Sequence, residues 1–81
     1  MTREEAYTLI RAALEEVAPE AATKLTEASH LLEDDLLDSL DSMNFLFEIE
    51  DRLGRKLKAI DEEFSDFRVS RLLEIIVEEA P

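Results

Sequence analysis

Cysteine and tryptophan are absent from the sequence, and glycine and histidine occur once each. Without cysteine the polypeptide has no disulfide framework, no thiolate metal site and no thiol nucleophile, and one histidine excludes most zinc sites. The lone glycine, Gly54, leaves no glycine-rich phosphate loop. Positive charge is scarce: 9 Lys+Arg stand against 21 Asp+Glu, a formal net charge of -12, which repels nucleic acid backbones. No apolar run approaches the length of a membrane span, and Met1-Thr2-Arg3-Glu4-Glu5 is followed by no apolar signal core, so a cytoplasmic location is expected. What is present is a hydrophobic fraction of 46%, too high for a disordered acidic tail. A chain of 81 residues buries one modest core. Residues 1–81 are therefore expected to form a single domain, not a multidomain enzyme with its own substrate cleft.

Thr2 with Glu5 three residues later reads as a capping box. Ala6, Leu9, Ile10, Ala13, Leu14 and Val17 then recur at helical spacing up to Ala18-Pro19, where proline disfavours continuation. Residues 20–38 are less regular; Ala28, Leu31, Leu32, Leu36 and Leu37 are expected to pin them to the core, with a short helical turn near Ala21-Leu25. A second long helix is predicted from Asp38-Ser39 to Leu53, stopped by Gly54. A short third helix is expected near Asp61-Phe64, and a last helix over Phe67–Glu79, capped by Ser65 or Asp66, with Val69, Leu72, Leu73, Ile76 and Val77 inward. No stretch alternates with period two. The expected fold is all-α: a small antiparallel four-helix bundle with a long loop between helices one and two.

The second long helix carries more apolar surface than a bundle needs. At about 100° per residue, Phe45, Leu46, Ile49 and Leu53 form one stripe, and Leu40, Met43 and Phe47 form another beside it. The apolar arc is then roughly twice the ~100° of an ordinary surface helix, so part of the second stripe is expected to be exposed for docking. The alternative is that it covers the long loop or lines an interior pocket. Charge is distributed unevenly around it: Glu27 to Asp51 contains nine acids and no Lys or Arg, whereas Arg52 to Lys58 contains four bases and no acid. Such an acidic surface steers basic partners in brief encounters. Helix-dipole preference alone accounts for Asp38, Asp41, Arg52 and Arg55, but not for Glu33-Asp34-Asp35, Glu50 or Asp51.

Catalytic constellations fail on inspection. His30 would have to serve Ser39 as a base, yet the residues around Ser39 lack the glycines of a nucleophile elbow; a solvated loop histidine is the plainer reading. The run Asp34-Asp35-Leu36-Leu37-Asp38 lacks the alternating ligands, central glycine and terminal Glu of a calcium loop, so no metal site is expected. What remains is Asp38-Ser39-Leu40 at a helix start, where free N–H groups and the dipole favour a phosphate attached to the serine. An acid before serine is equally an ordinary helix cap.

In context the string is more specific. Leu36-Leu37-Asp38-Ser39-Leu40-Asp41-Ser42-Met43, followed by Phe45-Leu46-Phe47-Glu48-Ile49-Glu50-Asp51-Arg52-Leu53-Gly54, resembles the 4'-phosphopantetheine attachment region of the acyl carrier proteins, and the likeness extends over essentially the whole chain. The resemblance implies a carrier that is not itself an enzyme. It makes Ser39 the attachment point for 4'-phosphopantetheine, delivered from coenzyme A by a phosphopantetheinyl transferase, and Asp38 its preceding acid. It implies that Leu40, Asp41, Met43, Phe47, Glu50 and Asp51 contact partners: acyl- or aminoacyl-loading and transferring enzymes with basic docking surfaces. A monomer is expected. Leu-Leu-Asp-Ser resembles D-alanyl and other stand-alone carriers more than fatty-acid-synthesis members, which commonly have a small residue at Leu37; Asn44 and the basic Arg52–Lys58 run also depart from the family pattern. The rival reading is an unmodified acidic helical interaction module.

Overall fold

The structure, a computed structural model, describes residues 1–61 and 63–80. It is an all-α four-helix bundle: α1 (Arg3–Val17), α2 (Pro19–Ala22), α3 (Ser39–Leu53) and α4 (Val69–Glu79). The described residues contain no strand, only an isolated antiparallel bridge between His30 and Arg68. The capping box is present as read: Thr2 Oγ1 accepts the Glu5 N–H at 3.1 Å, and Glu5 Oε1 accepts the Thr2 N–H at 2.9 Å. These bonds, the one from the Thr2 backbone foremost, hold the Glu5 carboxyl below its ordinary pKa.

The short helix lies earlier than expected. Pro19, at the first position of α2, starts a new turn instead of only ending α1, because its fixed φ suits a helix start. Between Leu53 and Val69 no helix is found among the described residues. The third helix expected at Asp61–Phe64 includes Glu62, which lies outside the described residues; beside it, the Phe64 N–H donates to the Asp61 carbonyl in a single 3.1 Å turn.

α1 is the common partner. It packs against α2, α3 and α4, whereas no Cα of α3 comes within 8 Å of one in α4. The core unites Ile10 and Leu14 of α1, Phe45 and Ile49 of α3, and Leu72, Leu73 and Ile76 of α4. The connecting segments contribute buried Leu31, Leu37, Leu57 and Phe67, with Phe64 packed edge-on against Phe67 at 5.4 Å between ring centroids. Leu32 and Leu36 are half-buried, but Ala28 is exposed and does not pin the loop as expected. Ser29 does so instead. Its hydroxyl accepts the Thr26 N–H, and its carbonyl accepts the Val69 N–H at 2.9 Å; the Leu31 N–H donates to the Phe67 carbonyl at 2.9 Å.

α4 begins two residues later than predicted, with Arg68 as N-cap and no side-chain cap from Ser65 or Asp66. Asp66 is engaged by Arg68, whose Nε and Nη2 donate to its two oxygens at 2.8 and 2.6 Å. That guanidinium brings the Asp66 carboxyl down to about 2. Val77 is exposed and Ile75 is buried in its stead: Leu72, Leu73, Ile75 and Ile76 form an arc broad enough to face both α1 and the loops.

Candidate functional site

Asp38 and Ser39 open α3. Asp38 is the N-cap in extended geometry, and its Oδ1 accepts the Asp41 N–H at 2.7 Å. The capping bond explains why the helix starts here, since a carboxylate at this position satisfies an otherwise free donor and favours the positive end of the dipole. Ser39 is the first helical residue, exposed, and its hydroxyl has no hydrogen-bond partner among the described residues. The N–H groups of Ser39 and Leu40 point out of the first turn with no intrahelical acceptor. Together they form a surface hydroxyl beside free amide donors at the positive end of the helix dipole.

The surplus apolar stripe is exposed: Leu40 by 73%, Met43 by 43% and Phe47 by 61%, while Phe45, Leu46 and Ile49 are buried beneath. Met43 and Phe47 also border an open groove of about 380 Å³ with Leu46, Glu50, Lys56, Ile60 and Asp61. The reading in which the stripe covers the long loop or lines an interior pocket does not hold for Leu40 and Phe47.

The acids differ more than the sequence implies. Glu48 pairs with Arg52 at 2.9 Å, Glu27 with Arg3 at 3.1 Å, and Glu33 with His30 at 2.9 Å. Asp34 accepts the His30 N–H. Glu50 is half-buried and its Oε2 accepts the Leu57 N–H at 2.9 Å, which gives it a structural task beyond the docking role that the resemblance implies. Asp35, Asp41 and Asp51 are left without a side-chain hydrogen bond or ion pair among the described residues; Asp41 is half-buried, and Asp35 and Asp51 are exposed. Asp35 also takes a left-handed φ of 57°, which an L residue other than Asn or Asp rarely adopts.

His30 does not reach Ser39. Its Nδ1 accepts the Glu33 N–H at 3.1 Å and its Nε2 faces the Glu33 carboxylate, so the ring organises its own turn. Among the described residues no three His, Asp or Glu side chains are grouped to hold a metal ion, and no helix is long and apolar enough to cross a membrane. Arg55, Lys56 and Lys58 are exposed, with no ion pair among the described residues.

Two elements escaped sequence reading. Glu79, expected only as the end of α4, accepts the N–H groups of Lys58 and Ala59 and so fastens the basic segment to α4. Ser42, read only as part of the motif, is buried, and its hydroxyl donates to the Ser39 carbonyl at 2.7 Å. A polar residue where helical spacing places a core position was the available signal for Ser42; nothing local marks Glu79. Compared with protein-family models, curated proteins and solved structures, the chain matches none.

Proposed function

We propose that the protein is a carrier, not itself an enzyme, which holds an acyl or aminoacyl group as a thioester on a 4'-phosphopantetheine arm attached to Ser39. The observation that carries this reading is the free, exposed Ser39 hydroxyl on the first turn of α3, behind a capping Asp38 and beside an exposed Leu40–Met43–Phe47 stripe. Bound there, the arm supplies the thiol that the cysteine-free chain lacks.

Each residue has a separable task. Ser39 offers Oγ as the nucleophile toward coenzyme A. Attachment forms the Oγ–P bond, breaks the diphosphate bridge with release of adenosine 3',5'-bisphosphate, and passes the hydroxyl proton to the transferase. Asp38 holds the first turn in place through Asp41. The N–H groups of Ser39 and Leu40 meet the negative charge of the phosphodiester. Leu40, Met43 and Phe47 give a partner an apolar footing, and Asp41 and Asp51 steer a basic surface toward it. Three exposed apolar side chains offer a limited footing, which fits brief docking by successive enzymes.

The test is intact mass after incubation with coenzyme A and a broad-specificity phosphopantetheinyl transferase. A single phosphopantetheine gain, lost in Ser39→Ala, is expected. No gain, or a gain that persists in Ser39→Ala, overturns the carrier reading in favour of an unmodified interaction module. Exposure of the stripe is the observation that such a module shares.

A further inference from the structure

Among the described residues Ser42 is one of two buried polar residues, with Ser29, and it lies in α3 one turn on from Ser39. Ser29 has an evident task in the backbone, accepting the Thr26 N–H at one end of the long loop. Ser42 has no partner of that kind. Its hydroxyl makes one hydrogen bond, as donor to the Ser39 carbonyl at 2.7 Å, within the same turn. That bond is a poor source of stability. Serine is a weaker helix former than alanine, a buried hydroxyl loses water, and back-bonding to a preceding carbonyl slightly destabilises helices. Alanine would fill the site with none of these costs.

The bond acts on the residue that matters. The Ser39 carbonyl and the Leu40 N–H belong to one planar peptide unit. Its carbonyl is held from below by Ser42, and its N–H points out of the helix start with no intrahelical acceptor. Donation to the carbonyl polarises the unit and strengthens its N–H as a donor, because hydrogen bonds in series reinforce one another. Asp38 grips the other flank of Ser39 through the Asp41 N–H at 2.7 Å. Ser39 is therefore bracketed by two side-chain-to-backbone bonds, with its own hydroxyl left free.

We infer that Ser42 is a positioning residue for modification of Ser39, orienting and polarising the 39–40 peptide so that the Leu40 N–H meets the phosphoryl group as it is transferred. This rests on the carrier reading. Ser42→Ala leaves the Leu40 N–H in place and removes only its orientation and polarisation. The transfer rate is therefore expected to fall about three- to tenfold, less than the roughly 10²–10³ that outright loss of such a donor costs, and a buried Ser→Ala change here leaves stability level or raised.

The experiment compares wild type, Ser42→Ala and Ser42→Thr with the same transferase and coenzyme A, measuring kcat and KM by mass gain, the Leu40 amide proton shift by NMR, and Tm. In Ser42→Ala, kcat is expected to fall about three- to tenfold with KM within twofold, the Leu40 amide to move upfield, and Tm to hold or rise. Ser42→Thr, which keeps the hydroxyl, is expected to restore the shift and most of the rate. An unchanged kcat in Ser42→Ala, a Tm loss in proportion to the rate loss, or a rate loss that Ser42→Thr fails to repair with its amide shift restored, overturns the inference and leaves Ser39 attachment standing. Absence of any mass gain in wild type instead ends the carrier reading, and this inference with it.

Discussion

The Leu57 N–H, at the turn that leads out of α3, donates to Oε2 of Glu50 at 2.9 Å. The bond crosses seven residues and helps seat Leu57, only 2% exposed, against the core. Glu50 and Asp51 are adjacent acids on the same helix, yet one anchors the fold and the other is exposed, with no side-chain hydrogen bond or ion pair among the described residues. Charge reversal separates them. Glu50→Lys leaves a part-buried N–H without its acceptor and is expected to cost about 1–3 kcal/mol, whereas exposed Asp51→Lys stays within about 0.5 kcal/mol. Urea unfolding of the two variants measures this. Equal stabilities would mean that water replaces Glu50 at no cost.

The cap at Asp38 makes a second distinction. Asp38→Ala removes the acceptor of the Asp41 N–H and is expected to cost about 1 kcal/mol. Asp38→Asn retains a capping oxygen and discards the charge, so its stability is expected within a few tenths of a kcal/mol of wild type. If the cap is what presents Ser39, Asp38→Asn is modified nearly as fast as wild type while Asp38→Ala lags. A transferase that reads the carboxylate itself would reject both variants alike.

How far the fold was legible follows from the same helix. Ser39, Phe45, Leu46, Ile49 and Gly54 each sit where local spacing and stop signals put them, since a 3.6-residue period and a left-handed C-cap at φ 71° are properties of neighbouring residues. The exposed stripe was legible for the same reason. The connections were not. Glu50 to Leu57, Glu79 to Lys58 and Ala59, and Ser29 to Val69 join residues distant in sequence, and no local pattern announces which carboxylate or carbonyl will meet them. The late start of α4 has this cause too: the Phe67 carbonyl, which would open the helical ladder, is taken by the Leu31 N–H across the fold, and Asp66 spends its carboxylate on Arg68. In the candidate site, the place of Ser39 at the helix start was evident from its motif, but the division of the acids into anchored and free ones required three dimensions.

Two phenylalanines two residues apart carry opposite expectations. Phe45 is fully buried, and Phe45→Ala is expected to cost about 3–5 kcal/mol, a large share of the stability of so small a domain. Phe47 is 61% exposed, so Phe47→Ser is expected to change stability by no more than about 0.5 kcal/mol. On the proposed carrier reading its effect belongs to docking: with a loading enzyme, Phe47→Ser is expected to raise KM while the isolated protein keeps its Tm. A Tm loss in Phe47→Ser comparable to that of Phe45→Ala would return the stripe to the core.

The Asp66–Arg68 pair gives a prediction in pH. Its two bonds, led by the side-chain bond from Arg68, lower the Asp66 carboxyl from 3.8 to about 2, while Arg68 itself is shifted upward and stays charged throughout. A folded-state pKa below the unfolded value means that the folded chain binds the proton less readily. The stabilising contribution is therefore complete above the unfolded pKa and is lost as pH falls through the folded one. The pair is largely exposed, so the contribution is small. Its location is still informative, because Asp66 and Arg68 flank the Phe67 carbonyl that receives the Leu31 N–H and ties the long loop to the start of α4. The stability difference between wild type and Asp66→Asn is expected to be constant near neutral pH and to close between about pH 4 and 2. Urea midpoints measured across that interval check the sign; a difference that stays flat as pH falls would show that Arg68 does not hold the Asp66 carboxyl down.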